Sequence, residues 1–178
     1  MLPKLLAGLL AASLCMEAAA DPGYYLVTPY AQAGKAALDV RYWSVRAPWG
    51  LEQWPEIGLR YGVNSRWTTE LLASFIGDTI DQQKLSSWNW QNEILLTQGQ
   101  YAFDLGLHVQ LIHSRDDGDS LEWGPVLQTE WGHTQLNANL FLEHNRAGGP
   151  AQLKLQWQLL QRLAPGWRLG VQGFGELG

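Results

Sequence analysis

The chain has 178 residues, with 12 lysines and arginines against 17 acidic residues, a single cysteine and ten tryptophans. A formal net charge of −5 with no basic cluster argues against nucleic-acid binding. Cys15 as the lone cysteine leaves no room for a disulfide framework or a thiolate metal site.

Residues 1–20 have the form of an export signal. Lys4 supplies the positive start, Leu5 to Leu14 a short apolar stretch, and Ala18 and Ala20 the small residues of a cleavage site. The apolar stretch falls short of the roughly 20 residues a membrane-spanning helix needs. Cleavage after Ala20 would leave a mature chain starting at Asp21-Pro22 without any cysteine, and 21–36 reads as an extended N-terminal segment.

From Ala37 onward, apolar and polar residues alternate with the period of β-strands. Segments near 37–46, 66–76 and 86–97 keep this period with exceptions: Asn92 falls on an apolar face, and Leu72 and Ile76 on polar ones. Ile57, Leu59, Tyr61 and Val63 oppose Glu56, Gly58, Arg60 and Gly62. Tyr101, Phe103, Leu105, Leu107, Val109 and Leu111 oppose Ala102, Asp104, Gly106, His108 and Gln110. Leu121, Trp123, Leu127 and Trp131 oppose Glu122, Gly124, Gln128 and Glu130, and Leu136, Leu140 and Leu142 oppose Gln135, Asn139 and Glu143. Leu153, Leu155 and Trp157 oppose Lys154 and Gln156, and Trp167, Leu169 and Val171 oppose Arg168, Gly170 and Gln172. This amounts to about nine strands, most of them longer than the usual length of about 5 to 6 residues.

Strands of about 9 to 11 residues can cross a bilayer. The clean apolar faces carry no Asp, Glu, Lys or Arg, and Trp43, Tyr61, Trp67, Trp88, Tyr101, Trp123, Trp131 and Trp167 sit near strand ends, as in an aromatic girdle. Turns at Asn64-Ser65, Gln98-Gly99, Gly132 and Ala164-Pro165-Gly166 look tight, while the connections around 47–54, 77–84, 114–120 and 145–150 look longer. That alternation matches short periplasmic turns and long outer loops. The expected fold is therefore an all-β, antiparallel up-and-down transmembrane β-barrel over 37–178. Bacterial barrels have even strand counts, so one or three further strands are expected beyond Gly178.

Three segments carry a resemblance: Trp88-Asn89-Trp90-Gln91-Asn92-Glu93, Trp123-Gly124-Pro125-Val126-Leu127-Gln128-Thr129-Glu130 and Val171-Gln172-Gly173-Phe174-Gly175-Glu176-Leu177-Gly178. They resemble a group of uncharacterised, porin-like outer-membrane β-barrel proteins of proteobacteria. The resemblance implies an outer-membrane location, with lipid, lipopolysaccharide and the barrel-assembly machinery as partners, and it assigns no activity or cofactor.

On this reading the polar face lines the lumen, with Glu70, Glu93, Asp104, Glu122, Glu130, Glu143 and Glu176 against Arg41, Arg60, Lys154 and Arg168, and with His108 among them. An acidic lumen suits a small-solute or cation channel. The alternative is a structural or surface-binding barrel plugged by its own side chains. Loop 47–54, with Trp49 and Trp54, offers a contact surface or part of the girdle. A lipid hydrolase is the third reading. Its one adjacent pair, His113-Ser114, points to opposite faces of a strand, so no enzyme is expected. Asp116-Asp117-Gly118-Asp119 lacks calcium-loop spacing and reads as solvated loop, and the four histidines show no metal spacing.

Overall fold

The computed structural model describes residues 26–47 and 50–177. The expected export signal and mature start, together with Trp49 and Gly178, lie outside the described residues. Nine strands follow in order: β1 (Ala36–Ala47), β2 (Gly50–Gly62), β3 (Trp67–Ile76), β4 (Lys84–Leu95), β5 (Phe103–Ser114), β6 (Gly118–Trp131), β7 (Thr134–Asn145), β8 (Gln152–Ala164) and β9 (Trp167–Glu176). Each pairs antiparallel with its chain neighbour, giving one up-and-down sheet curled into a half-barrel. The described helical content is a single 3-10 turn, Ile80–Gln82.

The alternation expected from the sequence sorts the side chains cleanly, and the sorting is inverted relative to a water-soluble sheet. Five apolar side chains are buried among the described residues, against fifteen polar or charged ones, so polar groups line the covered concave face. The apolar set forms the convex face: Leu38 and Val40 are each 67 % exposed, and Leu59, Leu71, Trp90, Trp123 and Val171 are also exposed. A sandwich would bury that set against a second sheet; the nine strands form one sheet only.

Several convex polar groups have local partners. The Trp67 indole N–H donates to Asn92 Oδ1 at 3.0 Å and that of Trp90 to Thr69 Oγ1 at 2.9 Å. Thr129 Oγ1 donates to the Ala102 carbonyl at 2.7 Å. Asn92, an exception to its apolar face in sequence, is thus neutralised by the adjacent tryptophan.

Two expectations fail. The alternation of tight and long connections is not kept, because strand pairing runs into the expected loops. β1 resumes as β2 after residues 48–49 and β5 as β6 after 115–117, whereas the expected tight turn at Gln98-Gly99 spans 96–102. Trp43 and Trp54, expected in an outer girdle or loop, face each other across β1 and β2. They share the concave parity of Arg41 and Glu56, half-buried at one end of the sheet.

Residues 26–35 form no strand. The chain turns at 32–35, where Gly34 N–H donates to the Gly62 carbonyl at 2.7 Å and Gly62 N–H to the Lys35 carbonyl at 2.9 Å. From there residues 26–31 lie on the concave face. Val27 and Pro29 are buried, and Val27 joins Val126 and Phe141 in an apolar cluster.

Candidate functional site

The concave face holds two ionic groups, one over β1–β3 and one over β4–β8, and an amide ladder over β7–β9. In the first ionic group, the register sets Arg41 opposite Glu56 and Arg60 opposite Glu70. Arg60 donates Nε and Nη2 to Glu70 Oε2 at 2.9 and 2.7 Å, and its Nη2 also reaches Asp39 at 3.2 Å. Arg41 binds Asp39 Oδ2 at 2.7 Å and lies 3.6 Å from Glu70 and 3.8 Å from Glu56. Ser74 Oγ donates to Glu56 Oε1 at 2.8 Å. Gly58 makes this packing feasible, since a Cβ there would meet the Glu70 carboxylate and, at 2.8 Å, Leu72 Cδ1.

The second ionic group crosses β4–β8. His108, fully buried, lies with Nδ1 3.3 Å from Glu93 and Nε2 3.4 Å from Glu122. Its ring stacks on Phe141 at 4.5 Å between centroids. Lys154 Nζ is 3.3 Å from Glu122 and also pairs with Glu143. Buried charges persist where they are paired and hydrogen-bonded, and each of these carboxylates has a cationic or imidazole neighbour.

The amide part is a side-chain ladder. Asn137 donates to Gln158 at 3.2 Å, Asn139 to Gln156 at 3.2 Å, and Gln158 to Gln172 at 3.3 Å. It carries hydrogen bonding across three strands without charge.

Of the residues expected in a lumen, Arg41, Arg60 and Glu70 meet in the first group, and Glu93, His108, Glu122, Glu143 and Lys154 in the second. Asp104 sits apart, accepting from the Tyr30 hydroxyl at 2.7 Å and from Gly99 N–H at 2.7 Å. Glu130 pairs with Arg162 at 3.1 Å, and Arg168 donates to Gln135 at 3.2 Å, both near the β6–β9 turns. Glu176 is exposed at the end of β9, opposite Lys154 in register. Sequence reading missed Asp39, Glu56 and Arg162. Strand parity already placed Glu56 beside Arg60; the polar partner opposite it was the missing piece.

The N-terminal segment is the other component it did not place. The Tyr30 hydroxyl also accepts from Gln128 at 3.2 Å, and Asn139 Nδ2 donates to the Val27 carbonyl at 3.1 Å. Partial burial, followed by the hydrogen bond and negative charge of Asp104, pushes the Tyr30 phenol up to about 12. A small cavity of about 40 Å³ remains between this segment and Arg60, Thr68 and Glu93.

The hydrolase pair does not converge. His113 Nδ1 lies 2.6 Å from Asp119, while Ser114 donates to Asp117 at 3.3 Å, so each has its own acid and neither touches the other. Among the described residues no group of His, Asp and Glu is arranged to hold a metal ion.

The class defined by these observations is an all-β, up-and-down curled sheet with a polar concave face and an apolar convex one. No known protein family, no curated protein and no solved structure matches the chain.

Proposed function

We propose that this sheet is the wall of an outer-membrane β-barrel, with the convex face against lipid, and that it serves as a structural barrel with a side-chain-filled interior. The observation that carries the reading is the inverted burial, five apolar against fifteen polar buried side chains. Exposing Leu, Val and Trp over a whole sheet face to water is unfavourable, at about 25 cal/mol per Å² of apolar surface. Against hydrocarbon the same face has no such cost. Its charges suit a bilayer as well: Arg46 and Asp119 stand at one end of the convex face, and the band between the ends has none. Antiparallel pairing on both sides satisfies the backbone of β2 to β8 without water, as a spanning structure requires, and β1 and β9 are the edges of the sheet. The signal-like pattern of residues 1–20 and the resemblance read from the sequence support this location, with lipopolysaccharide and the barrel-assembly machinery as proposed partners.

Between a filled and an open interior, the ion pairs favour the filled one. An open cation path needs carboxylates exposed to the passing ion, whereas Glu70, Glu93 and Glu122 are buried and face cationic or imidazole groups. The test is reconstitution in vesicles whose acyl chains carry bromine. Strong quenching of tryptophan fluorescence together with an electrically silent planar bilayer supports the proposal. Unquenched emission would remove the membrane wall, and steady cation-selective steps would replace the scaffold by the channel.

A further inference from the structure

We propose that the concave face is a receptor groove for an extended apolar–proline–tyrosine segment, filled here by the chain's own residues 26–31 as a releasable internal plug. The groove is shaped for its occupant at several independent points. A Cβ on Gly106 would lie 2.9 Å from the Pro29 ring, so β5 leaves room where the segment crosses it, and one on Gly62 would run into the Gln32 carbonyl of the turn that follows the segment. Val126 and Phe141 are two of the few buried apolar residues on the sheet's polar face, and Val27 is the residue they cluster with. Asn139 binds the Val27 carbonyl, and Asp104 with Gln128 holds the Tyr30 hydroxyl, which fixes both ends of the segment.

The mode of attachment makes it releasable. Among the described residues, 26–31 form no backbone–backbone hydrogen bond with the sheet; side chains and packing hold them. Withdrawal would leave all eight strand pairings of the sheet in place and uncover the cavity beside Arg60 and Glu93. A groove of this kind takes an extended peptide with a small apolar residue two positions before proline and an aromatic hydroxyl after it. The inference does not rest on the membrane reading, because it concerns the concave face alone.

The test is cysteine protection in the full chain with Cys15→Ser, purified in detergent. Val27→Cys is expected to react with a charged, membrane-impermeant maleimide at least about 10-fold more slowly than Gln32→Cys at the exposed entry, as local burial slows access. Adding Gly106→Val, which pushes on Pro29, should bring the two rates within about 2-fold with the sheet signal in circular dichroism retained. If Gly106→Val loses its sheet, the pair Asp104→Asn and Asn139→Ala, which removes the anchors, is read instead. Fast labelling of Val27→Cys in the otherwise unaltered chain overturns the proposal. So does protection that persists when a folded variant lacks the space or the anchors.

Discussion

Leu71→Arg tests the solvent of the convex face directly. Leu71 lies in the middle of β3, 57 % exposed, opposite Leu59 on one side and Trp90 on the other. It has no buried packing to lose. In water, a surface substitution of this kind changes stability by about 0.5 kcal/mol at most. On a lipid face near the midplane, arginine costs about 2–4 kcal/mol, which is about 30-fold to 1000-fold in the folding equilibrium constant. Urea unfolding of the protein inserted in fluid phosphatidylcholine vesicles, followed by tryptophan emission, reads that difference. The same substitution at Tyr61, near the strand end, should cost about 1 kcal/mol or less, because the penalty falls toward the interface. A loss under about 0.5 kcal/mol at Leu71, with reversible two-state unfolding, would refute the assignment of hydrocarbon to this side.

Two further outcomes follow from the concave face. Glu70→Gln leaves Arg60 and Arg41 short of a carboxylate and should destabilise by about 1–3 kcal/mol, below the full buried-pair figure because Arg60 is partly exposed. The double variant with Arg60→Gln should lose less than the sum of the two singles in urea melts, and strict additivity would deny the coupling. Tyr30 should be the late phenol in an alkaline absorbance titration, near 12 against 10 for an ordinary tyrosine. Since folding favours its protonated form, its contribution is complete below about pH 10 and disappears as pH rises toward 12. Asp104→Asn should move this step downward, and an unchanged titration would show that the carboxylate does not hold the phenol.

Strand identity and facing were legible because both depend on a local period of two. Asp104, His108 and Gln110 cannot share a face with Leu105, Leu107 and Val109 in any extended strand. The ends were less legible. The run Asp116-Asp117-Gly118-Asp119 carries strong turn chemistry, yet Asp119 is already paired with His113, so the turn closes within three residues. Trp43 misled because an aromatic ring at a strand end fits a lipid interface or a polar interior equally well, and only the parity of Asp39 and Arg41 decides. Residues 26–31 have no period to read: their place depends on Gly62, Gly106 and Asn139, all far away in sequence.

Which residues pair across strands also depends on register, and the ion pairs explain how a single register is chosen. A one-residue slip would turn Arg41 and Glu70 to the convex side and is excluded by facing alone. A two-residue slip keeps every side chain on its own face, and the convex face would barely resist it, since Leu59 opposite one apolar residue resembles Leu59 opposite the next. The concave face does resist. Such a slip moves Glu70 from Arg60 to Gly58 or Gly62, and Arg41 from Glu56 to Trp54 or Gly58, leaving the buried Glu70 and Glu56 carboxylates without the arginines that face them. Buried ion pairs contribute little net stability against apolar replacements, while breaking one costs about 3–5 kcal/mol. The charges inside this sheet therefore act mainly by penalising the wrong pairing, which a convex face of interchangeable leucines cannot do.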